Sequence, residues 1–86
     1  MPESYDIRFK RSAERELKGI PQPDLKRVIK KILSLASEPY SHDSTKLTGI
    51  PGRRIRQGDW RVVYDVDDEA AVVTVRKIAH RRDVYR

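Results

Sequence analysis

Apolar and charged side chains alternate at the start of the chain, in the order Tyr5, Asp6, Ile7, Arg8, Phe9 and Lys10. A repeat of two residues is typical of a β-strand with one buried face and one solvated face. The pattern therefore predicts a first strand that ends near Lys10.

The repeat then changes to that of a helix. Ala13, Leu17 and Ile20 share one helical face, and Gly19 with the following prolines breaks the pattern. Ser12 is the predicted N-cap, because its hydroxyl can accept a hydrogen bond from a free N–H of the first turn. These signals predict a short helix over residues 12–18.

A longer amphipathic pattern follows from Asp24. Its apolar positions have the i, i+3, i+4, i+7 spacing of a helix that ends before Pro39, namely Leu25, Val28, Ile29, Ile32, Leu35 and Ala36. Four basic residues occupy the other face: Lys26, Arg27, Lys30 and Lys31. A basic face of this kind is either simply solvated or in contact with nucleic acid, and the pattern alone allows both interpretations.

The second half of the chain returns to the period of strands. After a polar loop over residues 39–45, Gly49, Pro51 and Gly52 predict a turn. Three strands follow over residues 54–56, 61–66 and 70–78, with turns at Gly58-Asp59 and at residues 67–69. Residues 80–86 are interpreted as part of a neighbouring strand.

These elements predict one α+β domain over residues 1–86, in the order β-α-α-β-β-β. We expect the two helices to pack on one face of a small, twisted, mainly antiparallel sheet. A chain of 86 residues can bury only one thin core.

The composition narrows the choice of partner. The formal net charge is +6, which favours an anionic partner such as nucleic acid or an acidic protein, although charge also serves solubility. The chain has no cysteine, which excludes disulfides, thiol nucleophiles and cysteine-ligated zinc, and we expect no metal or cofactor. Without an apolar signal segment or membrane span, the expected location is the cytoplasm.

Arginines concentrate on the predicted sheet. Period 2 places Arg54 and Arg56 on the side opposite Ile55, and it places Arg61 opposite the buried Val62. Mutual repulsion among these cations is unfavourable in isolation, so we expect an anionic ligand on the face that the helices leave uncovered.

The order of these segments resembles the RelE branch of the RelE/ParE toxin superfamily, over nearly the whole chain. The most specific segments are Lys46-Leu47 with Gly49, the stretch from Gly58 to Tyr64, and the terminal HRRDVY. The resemblance implies an endoribonuclease that enters the ribosomal A site and cleaves messenger RNA through attack by the substrate's own 2′-hydroxyl.

The same resemblance implies which residues act. The catalytic set it implies is Arg54, Arg56, Arg61, Arg81 and Tyr85, with Tyr85 stacking on or orienting the cut nucleotide. The predicted substrate-binding residues are Lys46, Arg53, His80 and Arg82. For Arg61 the competing interpretation is a structural ion pair with Asp59 or Asp65, and Trp60 is interpreted as a packing residue.

The proton transfers are not assigned by the sequence. An arginine has a pKa above about 12 and is not a base at neutral pH, so Arg54 and Arg56 can only align and stabilise charge where well-studied members carry lysines. Tyr85 and His80 are the remaining candidates for acid or base.

The expected partners also follow from the resemblance. They are the 70S ribosome with its messenger RNA, and a cognate antitoxin that folds on the basic surface and inhibits by occlusion or charge neutralisation. Operator DNA is expected to be contacted only through the antitoxin. Two alternatives stay open: a ParE-like toxin that inhibits DNA gyrase, and a basic RNA-binding module without catalysis.

Overall fold

The computed structural model describes residues 2–84, with the side chains of residues 2–83. Its elements in chain order are β1 (Asp6–Phe9), α1 (Arg11–Lys18), α2 (Asp24–Ser34), β2 (Ser44–Lys46), β3 (Arg53–Gln57), β4 (Trp60–Asp67), β5 (Val72–His80) and α3 (Arg81–Val84). The predicted α+β class is confirmed, with two elements that the sequence did not predict, β2 and α3.

Five strands form one sheet in the order β1-β5-β4-β3-β2. The strands β2 to β5 pair in antiparallel fashion, as the predicted meander requires, whereas β1 runs parallel to β5. A parallel pair needs a crossover of a dozen or more residues, and α1 and α2 lie within the segment that connects β1 to the meander.

The core lies between the two long helices and one face of the sheet. Fully buried side chains from the helices include Ala13, Val28 and Ile32, and those from the sheet include Ile55, Val62, Tyr64, Val73, Val75 and Ile78. The hydroxyl of Tyr64 donates a hydrogen bond of 2.7 Å to the carbonyl of Pro39, so the largest buried side chain is also satisfied as a donor.

Two local predictions about the helices are wrong. Helix α1 begins at Arg11, its N-cap is Lys10, and no side chain caps it, so Ser12 lies within the helix. On α2, Ile29 is 37% exposed although its spacing predicted burial. Ile29 is one position, or 100°, from the buried Val28, and the thin sheet does not reach that far around the helix.

The prediction of a strand over residues 80–86 is also wrong within the described range. Strand β5 ends at His80, which pairs with Trp60, the first residue of β4. Beyond that point β4 offers no partner, and the backbone N–H of Arg81 instead donates to the carbonyl of Asp59 at 2.6 Å. Residues Arg81–Val84 consequently form a single helical turn.

The edge strand β2 occupies the end of the segment predicted as a polar loop. It has three residues, and only Ser44 is buried. Such a short, polar edge strand has no apolar alternation, and its position depends on pairing with Arg53–Ile55 of β3.

A polar network ties three distant segments together at one end of the sheet. Asp68, in the turn between β4 and β5, accepts hydrogen bonds from the hydroxyls of Tyr5 at 2.5 Å and Tyr40 at 2.8 Å. The bond to Asp68 raises the pKa of Tyr5 to about 12, and burial and the same carboxylate raise the pKa of Tyr40. The two hydroxyls lower the pKa of Asp68 in return.

None of the helices in the described range is long and apolar enough to cross a membrane.

Candidate nucleic-acid interface

The face of the sheet opposite the helices, called here the open face, carries the predicted arginines of β3 and β4. In the register of these strands Arg56 pairs with Arg61, Arg54 with Val63, and the intervening Ile55 with the buried Val62. Side chains alternate along each strand, so all three arginines belong to the face opposite Ile55. The prediction that they share one face is confirmed by this register.

Arg61 is enclosed to an unusual degree for a cation. It is 7% exposed, and its Nη1 donates to the carbonyls of Gly58 at 3.2 Å and Trp60 at 3.3 Å. Arginine stays charged when buried, so these dipoles hold a permanent cation in one orientation at the turn between β3 and β4. A group fixed in this way needs little reorganisation to stabilise an anion.

The C-terminal end of β5 meets the same turn. Arg81 places its Nε 3.8 Å from Oδ1 of Asp59, and His80 places its Nε2 4.0 Å from Oδ2 of that carboxylate. Together with the backbone bond from Arg81 to Asp59, these contacts join Arg81 to the turn that also holds Arg61. Two predicted arginines, Arg61 of β4 and Arg81 of α3, therefore converge on residues 58–60.

Both ring nitrogens of His80 face groups of the protein. Its Nδ1 accepts a hydrogen bond of 3.4 Å from the backbone N–H of Arg82, and its Nε2 faces Asp59. The ring also meets Trp60 edge to face, with centroids 5.3 Å apart. Trp60 in turn donates from Nε1 to Asp24 at 3.1 Å, which supports its interpretation as a packing residue.

Arg53 and Lys46 lie apart from the arginines of the open face. Lys46 of β2 pairs with Arg53 of β3. Because side chains alternate along β3, Arg53 lies on the same face as Ile55 and on the face opposite Arg54. Nε and Nη2 of Arg53 donate to the hydroxyl of Ser44 at 3.1 and 2.9 Å, and its guanidinium lies 5.3 Å from the ring centre of Tyr40. Both residues line a separate shallow hollow with Tyr40.

The remaining predicted positions are at the end of the chain. Arg82 is exposed on α3. Tyr85 lies outside the described residues. No group of three or more histidine, cysteine, aspartate or glutamate side chains in residues 2–84 is arranged to hold a metal ion.

Comparison with known proteins identifies the family. The family model of the ParE toxin of type II toxin–antitoxin systems matches residues 7–85. The toxin RelG of Mycobacterium tuberculosis is 30% identical over 89 residues, covering 95% of this chain and 97% of RelG. The chain belongs to the RelE/ParE superfamily of type II toxins.

Solved structures support this membership. The toxin superposes with a TM-score of 0.84 on a chain of the RelBE2 toxin–antitoxin complex of M. tuberculosis, at 28% identity over 96% of this chain and 98% of that one. With a chain of the intact RelBE complex of Escherichia coli the TM-score is 0.79, at 26% identity over 90% and 96% of the two chains.

The toxin has a further basic side chain on its open face that sequence reasoning missed. Arg76 is the extra residue of β5 at a β-bulge, since Val63 pairs with Lys77 and Tyr64 with Val75. Its Nη2 donates to the carbonyl of Pro51 at 2.7 Å, and its Nε lies 3.0 Å from Oδ2 of Asp65. The adjacent polar pair Arg76-Lys77 in a β-branched strand was the signal that could have predicted the bulge.

Gly52 is explained by its backbone conformation and by close neighbours, which include the guanidinium of Arg76 and the backbone carbonyl of Tyr64, 3.1 Å from where a Cβ would lie. A Cβ at this position would lie 2.5 Å from Nη2 of Arg76, and φ of Gly52 is +115°. Beside this contact, the loop before β3 and the open face enclose a largely apolar hollow of about 350 Å³, lined by Leu47, Ile50, Arg61, Val63, Arg76, Lys77 and Ala79. The arginine cluster thus borders a concave surface with an apolar floor and a cationic rim.

Proposed function

We propose that this toxin is a ribosome-dependent endoribonuclease that cleaves messenger RNA in the A site and so inhibits translation. The observation that carries the proposal is the pairing of Arg56 with Arg61 on the open face, with Arg81 joined to the same turn as Arg61. Like charges directly opposite each other destabilise a sheet, and a phosphate between them removes that cost.

The proposed reaction needs stabilised charge more than it needs a nucleophile from the protein. The 2′-oxygen of the substrate attacks the adjacent phosphorus and loses its proton, the bond from phosphorus to the 5′-oxygen breaks, and the leaving oxygen gains a proton. The products are a 2′,3′-cyclic phosphate and a 5′-hydroxyl. Arg61 and Arg81 stabilise the extra negative charge on the phosphorus oxygens, and Arg54 and Arg56 align the backbone.

Few side chains of this toxin are available for the proton transfers. Nδ1 of His80 accepts a hydrogen bond from the backbone N–H of Arg82 and its Nε2 faces Asp59 at 4.0 Å, which favours a role in positioning the turn. Tyr85 is then the proposed residue for orienting or protonating the cut nucleotide, as the family resemblance implies. Arginines remain cationic at neutral pH and do not serve as the base.

A cognate antitoxin is the other proposed partner. The relatives in M. tuberculosis and E. coli were solved as toxin–antitoxin complexes. We propose an antitoxin with an acidic segment that folds over the open face and neutralises its arginines, with operator DNA contacted by the antitoxin.

The direct test uses purified toxin and programmed ribosomes. Wild-type toxin is expected to cut the messenger within the A-site codon, to leave naked RNA intact, and to lose cutting in Arg61→Ala, Arg81→Ala and Tyr85→Phe variants. Arg11→Ala, on the exposed surface of α1, is the matched control and should cut normally. Unchanged cutting in all three site variants would overturn the site assignment.

A second candidate function is gyrase inhibition, because the matching family model is that of the ParE toxin. A supercoiling assay separates the two. Inhibition of DNA gyrase with intact ribosome-bound messenger would replace the proposed activity, whereas RNA binding without products would indicate a non-catalytic module.

A further inference from the structure

A second basic surface lies on the helical side of the sheet, away from the open-face arginines. Arg27, Lys30, Lys31 and Ser34 of α2 and Gln57 at the end of β3 line an open cleft of about 410 Å³. We propose that this α2 cleft binds the phosphodiester backbone of RNA that extends beyond the cut site. The inference rests on the proposed function, since it extends the same RNA-binding surface.

The charges in the α2 cleft are only partly compensated. Lys31 forms an ion pair with Asp43, and the bond from Lys31 lowers the pKa of Asp43 to about 2. Neither Arg27 nor Lys30 forms an ion pair with any residue of the described range. They are three positions apart on one helix face, where like charges repel, so an anion in the cleft relieves an existing repulsion.

Two carboxylates near the cleft, those of Asp24 and Asp43, already have partners within the protein. Asp24 and Arg27 line a smaller adjoining cavity, but the carboxylate of Asp24 already accepts the Nε1–H of Trp60. Asp43 is held by Lys31 and by the hydroxyl of Ser41 at 2.6 Å. The net result is a concave surface with two uncompensated cations, which is complementary to phosphate.

The sheet edge provides a route from the open face to the cleft. Strand β2 pairs only with Arg53–Ile55, so Arg56 and Gln57 lie on a part of β3 that β2 leaves uncovered. Arg56 projects on the open face, whereas its neighbour Gln57 lines the α2 cleft. An RNA strand bound to Arg54 and Arg56 can therefore pass around this edge and reach Arg27 and Lys30.

The test measures binding without cleavage. A 2′-O-methyl RNA of twelve nucleotides and one of three nucleotides, both fluorescein-labelled, are titrated with full-length toxin at 50 to 200 mM salt. The variant is Arg27→Gln/Lys30→Gln. The control, Arg11→Gln/Arg15→Gln on α1, removes the same charge from another exposed helix, and thermal melts monitored by circular dichroism verify that each variant is folded.

We expect the α2 double variant to bind the twelve-nucleotide RNA about tenfold more weakly at 50 mM salt, and its salt slope to fall by about 1.4 for two lost phosphate contacts. The control should stay within about twofold of wild type, and all proteins should bind the three-nucleotide RNA alike. Equal weakening by both double variants would mean a general charge effect and would overturn the proposal.

Ribosomes without messenger distinguish the source of the phosphates. A loss specific to the α2 variant on ribosomes, with normal binding of the twelve-nucleotide RNA, assigns the cleft to ribosomal RNA and overturns the proposal. If wild-type toxin fails to cut on ribosomes while the α2 effect on RNA binding remains, the proposed function fails and the cleft assignment stands.

Discussion

Ile55 and Arg56 are neighbours in β3, yet Ile55 is 1% exposed beneath the helices and Arg56 is exposed on the open face. Opposite them in β4, Val62 is buried with Ile55, and Arg61 pairs with Arg56. On the covered face, the paired side chains are apolar and are stabilised by burial away from water. On the open face, the paired side chains are cations that repel each other. Stability and anion binding are thus assigned to opposite faces of the same two strands.

This difference implies that the two faces respond differently to mutation. Truncation on the covered face removes packing and leaves a cavity. Truncation of the exposed Arg56 on the open face removes a charge that repels Arg61, and it should affect ligand chemistry more than folding.

The largest expected effect on folding is that of Ile55→Ala. Loss of a fully buried aliphatic side chain should lower the free energy of unfolding by about 2–5 kcal/mol, measured by urea denaturation. The neighbouring Arg56→Ala is the matched control and should change it by no more than about 0.5 kcal/mol, or raise it, since a repulsion is removed. A comparable loss in both variants would contradict the division of roles between the faces.

The largest expected effect on activity is that of Arg61→Ala. Removal of one preorganised donor should reduce the single-turnover rate of messenger cleavage on ribosomes by about 10² to 10³. Arg61→Lys restores the charge without the planar fork and should recover only part of that loss. Full recovery by lysine would show that charge alone matters, and melting curves of both variants separate catalysis from unfolding.

A smaller effect is expected at Gly52, on the rim of the open face. Gly52→Ala places a Cβ against Arg76 in a backbone conformation that disfavours side chains, and should cost about 1–3 kcal/mol of unfolding free energy. Gly49 also has positive φ, at +80°, but a Cβ added there would meet no atom within 4 Å, so Gly49→Ala isolates the backbone strain. An equal cost at both glycines would exclude the contact with Arg76 as a cause.

The smallest effect concerns the Tyr5–Asp68–Tyr40 network. The pKa of Tyr5 is raised from 10.0 to about 12, so the folded state holds its proton longer and stability should decline as pH rises from 10 toward 12. The pKa of Asp68 is lowered from 3.8, so its contribution is present above that pH and is lost as pH falls through the lowered value.

Thermal melts across pH test this prediction. Tyr5→Phe should flatten the alkaline decline in stability. Asp43→Asn is the control, because the pKa of Asp43 is lowered by Lys31 and it should alter only the acid side. An unchanged alkaline decline in Tyr5→Phe would rule out the Tyr5 hydroxyl as its source.

The order of the first strand, the two long helices and the last three strands, and the facing of the arginines, were determined by the sequence alone. Alternation of apolar and polar residues is a local property with a fixed period, so it assigned Ile55 and Val62 to the core and Arg54, Arg56 and Arg61 to the other face. The turn residues Gly58 and Asp59 predicted the hairpin that joins β3 to β4.

Only the tertiary structure decided which side chains meet across the fold. The Arg76 bulge over Gly52 and the helical turn after His80 depend on contacts between segments that are distant in sequence. The short β2 strand depends likewise on β3. Local periodicity specifies the face of a side chain, but partners across a sheet are set by register and by where each neighbouring strand ends.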